Sequence, residues 1–201
     1  MGQEHEQRKR QLRRELRTRR REIAQRVAAE LSRAACTHLV SLPAFKEAKG
    51  VVGYVATDGE VDPATALAKA VADGRRVYFP RLVGSVLEFM DGAPNGSAPG
   101  PHGVPDPDGG DALKGDGAGI AILVPGVGFD HAGGRLGRGG GHYDRALARF
   151  ASATRIGLAY DDQLVPELPQ DPWDCRMDFV ATATQVVAAA RGRPHTKEIQ
   201  P

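Results

Sequence analysis

Residues 51–80, VVGYVATDGEVDPATALAKAVADGRRVYFP, decide the fold class. Val51–Ala56 is an apolar run with the length of a buried strand. It ends in the turn Thr57-Asp58-Gly59-Glu60, with a carboxylate at the strand end. Asp62-Pro63 fits an N-cap and a first helical position, which predicts a helix reaching to about Ala72. Arg76–Pro80 then returns to an apolar strand. Strand, helix and strand in so short a span form a βαβ unit, whose two strands are expected to be parallel.

The same alternation continues outward. Val86–Phe89 fits a short strand, Ile120–Val124 a fully buried one, and a helix is expected from His142 or Tyr143 to about Ser152. Arg155–Tyr160 and Phe179–Ala183 are further strands. On the N-terminal side, helical periodicity runs from about Glu4 to Leu42, with Leu12, Leu16, Ile23, Val27 and Leu31 on one stripe, and Pro43 is expected to end it. Residues 91–119 hold nine glycines and five prolines, too many for a helix or a central strand, and predict a long surface loop that would serve as a lid if it moves. The resulting expectation is one α/β domain over residues 1–190. It has three α/β/α layers around an open, mostly parallel, Rossmann-like sheet, and a polar, disordered tail at 191–201. In such sheets ligands sit at the carboxyl ends of the strands, where Glu60 and the segment after Val124 fall.

That segment, Val124–Arg145, reads VPGVGFDHAGGRLGRGGGHYDR, with eight glycines between Gly126 and Gly141. Glycines let consecutive N–H groups converge, a helix N-terminus behind them adds partial positive charge, and Arg135 and Arg138 add full charge with fork geometry. Neither a P-loop nor a GxGxxG fingerprint is present, because no Gly-Lys-Ser/Thr occurs and His142 stands where a third glycine would be needed. A glycine-rich loop after a strand can be purely structural. The two arginines inside it favour an anion cradle, with a nucleotide as the most economical ligand.

Composition bounds the remaining classes. The chain has 201 residues, 41% hydrophobic and 26% charged, ordinary values for a soluble globular domain. No apolar stretch approaches the roughly 18–20 residues of a membrane span, and the charged N-terminus carries no signal core, so a cytoplasmic protein is expected. Cys36 and Cys175 lack metal-type spacing and read as reduced thiols. The net charge of +2 is uneven: residues 1–50 carry 13 Lys/Arg against 6 Glu. Lys9, Arg13 and Arg17, spaced by four, line one edge of the N-terminal helix, either as a solvated basic face or, for Lys9 and Arg13, as cations reaching over the sheet to a phosphate. Asp144 suits the favourable dipole at a helix start, or a Mg²⁺ beside phosphates; Asp174 suits a turn, or a second carboxylate at the same edge.

The glycine segment resembles the signature of the 5-formyltetrahydrofolate cyclo-ligase family, PGxxFDxxGxRLGxGxGYYDR. Lys9-Arg10-Gln11-Leu12-Arg13 is similar to that family's KxxLR element, Val55–Val61 to its substrate strand and turn, and Arg76–Arg81 to its next strand. Ile156–Gln163 with Asp174 is similar to its IGLAYxxQ…D pattern. The resemblance spans about Lys9 to Thr182. It implies a fold similar to that of sugar-phosphate isomerases and CoA transferases, and conversion of 5-formyltetrahydrofolate and ATP, with Mg²⁺, to 5,10-methenyltetrahydrofolate, ADP and phosphate. By position it implies that Lys9, Arg13 and the run Arg135, Leu136, Gly137, Arg138, Gly139, Gly140, Gly141, His142 and Tyr143 contact ATP. It implies catalytic roles for Arg135 and Arg138, and Mg²⁺ ligation by Asp144 and Asp174. Val55, Glu60 and Arg138, with Gly139 to His142, would touch the folate. Departures from the pattern are His142 for the usual tyrosine, Gly140 where some members carry lysine, and Asp106 for the usual glutamate. Other readings are a related enzyme on this scaffold acting on another pterin or amide, and a nucleic-acid-binding protein using the arginine-rich N-terminus. Glu4, Glu6, Glu15 and Glu22 interrupt that basic run and aromatic content is 5%, both unfavourable to the last. The expected assembly is a monomer without nucleic-acid or membrane partners.

Overall fold

The computed structural model describes residues 2–23, 25–92, 94–99, 105–107 and 110–189, with backbone only for 94–99 and 105–107. The tail at 191–201 and the Asp106 side chain lie outside the described residues. The helices are α1 (Gly2–Glu22), α2 (Gln25–Ser41), α3 (Pro43–Lys46), α4 (Ala64–Ala72) and α5 (His142–Arg149). The strands are β1 (Gly50–Val52), β2 (Arg76–Val83), β3 (Val86–Asp91), β4 (Pro94–Pro99), β5 (Pro105–Pro107) and β6 (Ile120–Val124). They continue with β7 (Gly128–Asp130), β8 (Arg135–Leu136), β9 (Thr154–Leu158), β10 (Leu164–Val165), β11 (Phe179–Ala181) and β12 (Val186–Ala188).

Seven strands form one sheet in the order β12-β11-β9-β6-β1-β2-β3. The inner five are parallel, and β12 and β3 close the edges antiparallel. β1 pairs in parallel with β2 from Gly50↔Arg76 to Val52↔Tyr78, as the βαβ reading requires. Successive strand residues divide between two cores. Val51, Ala121 and Leu123 pack with Ala35, Leu39, Phe45, Leu67 and Ala70 of α2, α3 and α4. Val52, Ile122 and Val124 pack with Leu147 of α5 and with Phe150, which follows it. Helices therefore cover both faces of the sheet, which explains why its central strands read as continuous apolar runs.

The N-terminal helix departs from expectation. It is not one helix to Leu42 but two, with a bend at Ile23; the second ends at Ser41, within a residue of the expected boundary, and Pro43 then opens the short α3. The apolar stripe serves two surfaces. Leu12 and Leu16 pack with Val127, Leu136 and Leu168 beside the glycine segment, whereas Ile23 and Leu31 pack on the main sheet core and Val27 is exposed. A straight helix cannot follow both surfaces, and unbroken periodicity concealed the turn. β1, β9 and β11 are each shorter than the apolar runs that announce them, and α4 begins at Ala64 with the Asp62 carboxylate accepting the Ala64 N–H at 2.9 Å. The glycine-rich stretch after β3 is not all loop: β4 and β5 pair as a two-stranded sheet apart from the central one.

Candidate active site

The glycine segment is ordered by its own small sheet, β10-β7-β8, which its composition hid. Asp130 organises the β7–β8 turn. Buried, it accepts the N–H groups of Ala132 at 2.9 Å and Gly134 at 2.7 Å on one oxygen, and that of Leu168 at 3.0 Å on the other. β8 delivers Arg135 from below, and the chain then swings through Gly139, at φ +107°, and Gly141, at φ +63°, into α5. Both dihedrals lie where side chains are disfavoured, so these two glycines are required by the turn. The N–H groups of Gly139, Gly140 and Gly141 donate to no protein atom among the described residues. Free amides at the start of a helix, with no Cβ in front of them, are what an anion site needs.

This loop forms one wall of a cleft of about 650 Å³ at the carboxyl end of the sheet. Every residue singled out from the sequence lines it: Lys9, Arg13, Val55, Glu60, Arg135 through Tyr143, Asp144 and Asp174. Residues that sequence reasoning missed also contribute, among them Tyr54, Thr57, Leu82, Leu87, Asp171 and Trp173. Leu82 became visible only because β2 runs three residues past Pro80, and no spacing marked Asp171 or Trp173.

The charges in the cleft are paired. The Arg138 guanidinium donates to the Glu60 carboxylate at 2.8 Å and also reaches Thr57. The other Glu60 oxygen accepts the Thr57 N–H at 3.1 Å, and Arg20 lies 4.0 Å away. Glu60 is 7% exposed and Arg138 43%, so the acid is set into the wall of the cleft while the guanidinium is partly in solvent. Arg13 donates to the Gly137 carbonyl at 3.0 Å, tying α1 to the loop. Arg135 donates to Asp144 at 2.7 Å, and its guanidinium lies 5.7 Å from the centre of the Tyr143 ring. Burial raises the Tyr143 phenol well above its ordinary range, with Glu60 adding to the effect, so this group stays protonated. Lys9, almost fully buried, donates to Asp171 at 2.6 Å and Asp174 at 2.7 Å. Burial opposes its charge, but its hydrogen bonds to the two aspartates and their negative charge prevail and raise its pKa.

The turn that presents Glu60 is held from behind. Asp58 accepts from three arginines of α1: Arg17 at 2.9 Å, Arg20 at 2.9 Å, and Arg21 through two nitrogens at 2.8 and 2.6 Å. Arg20 is fully buried and also donates to the Gly126 carbonyl at 3.1 Å, so α1, the β1 turn and the end of β6 share one clasp. Part of the basic excess near the N-terminus is thus paired within the molecule, with Arg20 buried and Arg17 and Arg21 still exposed. Cys36 and Cys175 are free thiols, as expected.

No group of three or more His, Cys, Asp or Glu placed to hold a metal occurs among the described residues. Asp144 and Asp174 nonetheless face the cleft beside the amide cradle, each neutralised by one cation. This donor set fits a Mg²⁺ that arrives with phosphate oxygens, since that ion takes one or two carboxylates and completes its shell from substrate and water.

A sequence model of the 5-formyltetrahydrofolate cyclo-ligase family matches residues 5–183. The chain belongs to that family. A 5-formyltetrahydrofolate cyclo-ligase of Escherichia coli K12 is 31% identical over 180 residues, covering 85% of this chain and 98% of the relative. A probable cyclo-ligase of Schizosaccharomyces pombe is 27% identical over 183 residues, covering 82% and 90%. Among solved structures, the 5,10-methenyltetrahydrofolate synthetase of Aquifex aeolicus superimposes with a TM-score of 0.79 at 29% identity, covering 96% of this chain and 99% of that one. The synthetase of Mycoplasma pneumoniae, at 23% identity and a TM-score of 0.69, shares the fold over 87% of this chain and 98% of that one. The cyclo-ligase family is thus matched along almost the whole chain, and its signature coincides with the β7–β8–α5 wall of the cleft. Among the described residues no helix is long and apolar enough to cross a membrane.

Proposed function

We propose that this chain closes 5-formyltetrahydrofolate to 5,10-methenyltetrahydrofolate at the expense of ATP, releasing ADP and phosphate, in the cytoplasm and as a monomer. The observation that carries the reading is one cleft in which an amide-and-arginine cradle and a fixed carboxylate face each other and share Arg138. The cradle of Gly139–Gly141, with Arg135, Arg138, Lys9 and Arg13, suits a triphosphate. Glu60, in a cleft whose lining also includes Tyr54, Val55, Leu82 and Leu87, suits a flat, apolar ring whose edge carries adjacent N–H donors, as a pterin does.

In this reading the formyl oxygen attacks the γ-phosphorus and the bond to the β-phosphate bridging oxygen breaks, releasing ADP. The formyl oxygen leaves with that phosphoryl group once N10 has attacked the formyl carbon and lost its proton, so the products are the methenyl bridge and phosphate. Arg138 and the loop amides neutralise charge on the transferring group, and Arg135, braced by Asp144, fixes the cradle. Glu60 orients the ring so that the formyl oxygen meets the phosphorus in line. Mg²⁺ held by Asp144 and Asp174 would supply further charge neutralisation to the polyphosphate when bound.

The test is near-ultraviolet absorbance of the methenyl product from purified protein, 5-formyltetrahydrofolate and Mg²⁺, with and without ATP. Product that appears only with ATP, and falls at least 100-fold in Arg138→Ala, is expected, since losing one transition-state donor costs about 2.7–4 kcal/mol. Intact ATP binding with no product would redirect the cleft to another pterin or amide.

A further inference from the structure

The cleft has two ends, and the folate reading occupies one. The lining includes Val55 and Glu60 from the segment after β1, Leu82 of β2 and Leu87 of β3; beside Lys9, Trp173 lies between Asp171 and Asp174 and also lines the cleft. Its side chain is 71% exposed, the highest value among the exposed large hydrophobic residues of the described chain. The exposure does not come from a loose segment. Lys9 grips Asp171 and Asp174 on either side of it, Asp174 accepts the Asp171 N–H at 2.8 Å, and Cys175 donates its N–H to Asp144 at 3.3 Å. A turn anchored through a buried lysine thus holds a large apolar ring out in water at the mouth of the cleft, although burying such a ring would be favourable.

We propose that Trp173 is the stacking wall for the base of the nucleotide. The inference rests on the reading that the arginine–glycine loop holds a triphosphate, and it adds where the rest of the nucleotide lies. The γ-phosphoryl group must meet a folate seated at Glu60, so the polyphosphate runs from Arg138 back along the loop towards Lys9 and Asp174. The base then falls at the Trp173 end. A flat heteroaromatic ring over an indole needs no further polar partner, because every base has a π-face.

Trp173 is the single tryptophan of the chain, so its fluorescence reports on this position alone. Titration of the wild-type protein with ADP is expected to change the emission, whereas inorganic tripolyphosphate, which has no base, binds without the same change. By calorimetry, Trp173→Ala is expected to weaken ATP binding roughly 10- to 100-fold. The same variant should leave tripolyphosphate affinity and the KM for 5-formyltetrahydrofolate within about twofold, and Trp173→Phe should restore most of the loss. Equal losses for ATP and tripolyphosphate would show a damaged turn and overturn the assignment. A loss confined to the folate would place the pterin there and overturn it as well. Wild-type binding of both probes with no effect of Trp173→Ala would refute the stacking wall alone; binding of neither would refute the triphosphate reading beneath it.

Discussion

Glu60 and Arg138 were individually legible, one as a carboxylate at a strand end and the other as a cation in a glycine loop. Their contact was not, because 78 residues separate them and no local pattern encodes a pairing across two walls. That pairing has consequences for each residue. Glu60 is nearly buried and accepts from Thr57 as well, so it stays where it is when Arg138 leaves. Replacing Glu60 by Gln removes a charged acceptor from the folate end and frees Arg138 for phosphate. Folate binding is expected to weaken roughly 10- to 100-fold, the scale of a hydrogen bond to a charged group. ATP should bind at least as tightly as to the wild type. Calorimetry with each ligand separates the two effects, and a parallel loss of ATP affinity would show that the carboxylate merely props the loop. Asp171 and Trp173 were illegible for another reason: a proline-rich connection carries no period, and only the fold shows that Lys9 draws it to the cleft.

At the scale of elements, the basic helix was legible as a helix and misleading as a surface. Arg17, Arg20 and Arg21 occupy one side of the last turns of α1, where cations also complement the helix dipole, and they converge on Asp58. Asp58 itself holds a left-handed φ of +55°, strain that the clasp maintains. Burial works against the Asp58 carboxylate, but its contacts with Arg21, Arg17 and Arg20 prevail and hold its pKa below the ordinary 3.8. A depressed folded-state pKa means stability that is present above 3.8 and lost as pH falls through the lower folded value. Asp58→Asn should therefore lower stability near neutral pH, by about 1.5–3 kcal/mol, the scale of hydrogen bonding to a charged group, because buried Arg20 loses one of its two carboxylate partners and keeps only Glu60 at 4.0 Å. The gap to wild type should shrink below pH 4 in denaturant melts followed across pH, and a gap independent of pH would remove the ionic explanation.

The glycine loop makes the complementary case. Its glycines announced a tight turn, but β7 and β8 were hidden because two- and three-residue strands leave no alternation to read. Gly139 combines φ +107° with open space around a would-be Cβ, whose nearest neighbours are Arg13 atoms at 3.8 Å and beyond. Gly139→Ala therefore tests backbone geometry without a clash. The expected strain of about 1–3 kcal/mol falls on the cradle, so ATP affinity should drop about 10-fold or more while the melting temperature moves little. A lower melting temperature with unchanged ATP affinity would mean that the loop is a structural turn and not a cradle.

On the scale of the whole molecule, the proposed function puts both ligands in one cleft, where they share the Arg138 guanidinium. The parallel core was readable from apolar strand runs, because burial on both faces removes alternation, and edge strand β3 from Val86–Phe89; the short hairpin strand β12 left no pattern to read, and the shared cleft depends on contacts distant in sequence. Arg138 neutralises Glu60 in the structure. A triphosphate in the cradle attracts Arg138, and the Glu60 oxygen it leaves becomes available to ring N–H donors. A folate that engages Glu60 likewise displaces Arg138 towards the loop. On the proposed function each ligand removes a cost the other would meet, and positive coupling of their binding is the expected outcome. Linkage requires the factor to be the same in both directions, and couplings of this kind are typically about 5- to 150-fold. Calorimetry with a non-hydrolysable ATP analogue and 5-formyltetrahydrofolate, titrated in both orders, is expected to show each tightening the other by one common factor. Arg138→Met should bring that factor close to one while raising folate affinity in the absence of nucleotide, since the competitor for Glu60 is gone. Independent binding in the wild type would mean that Arg138 stays on Glu60 throughout, and charge neutralisation at the phosphoryl group would then fall to Arg135, Lys9 and the loop amides.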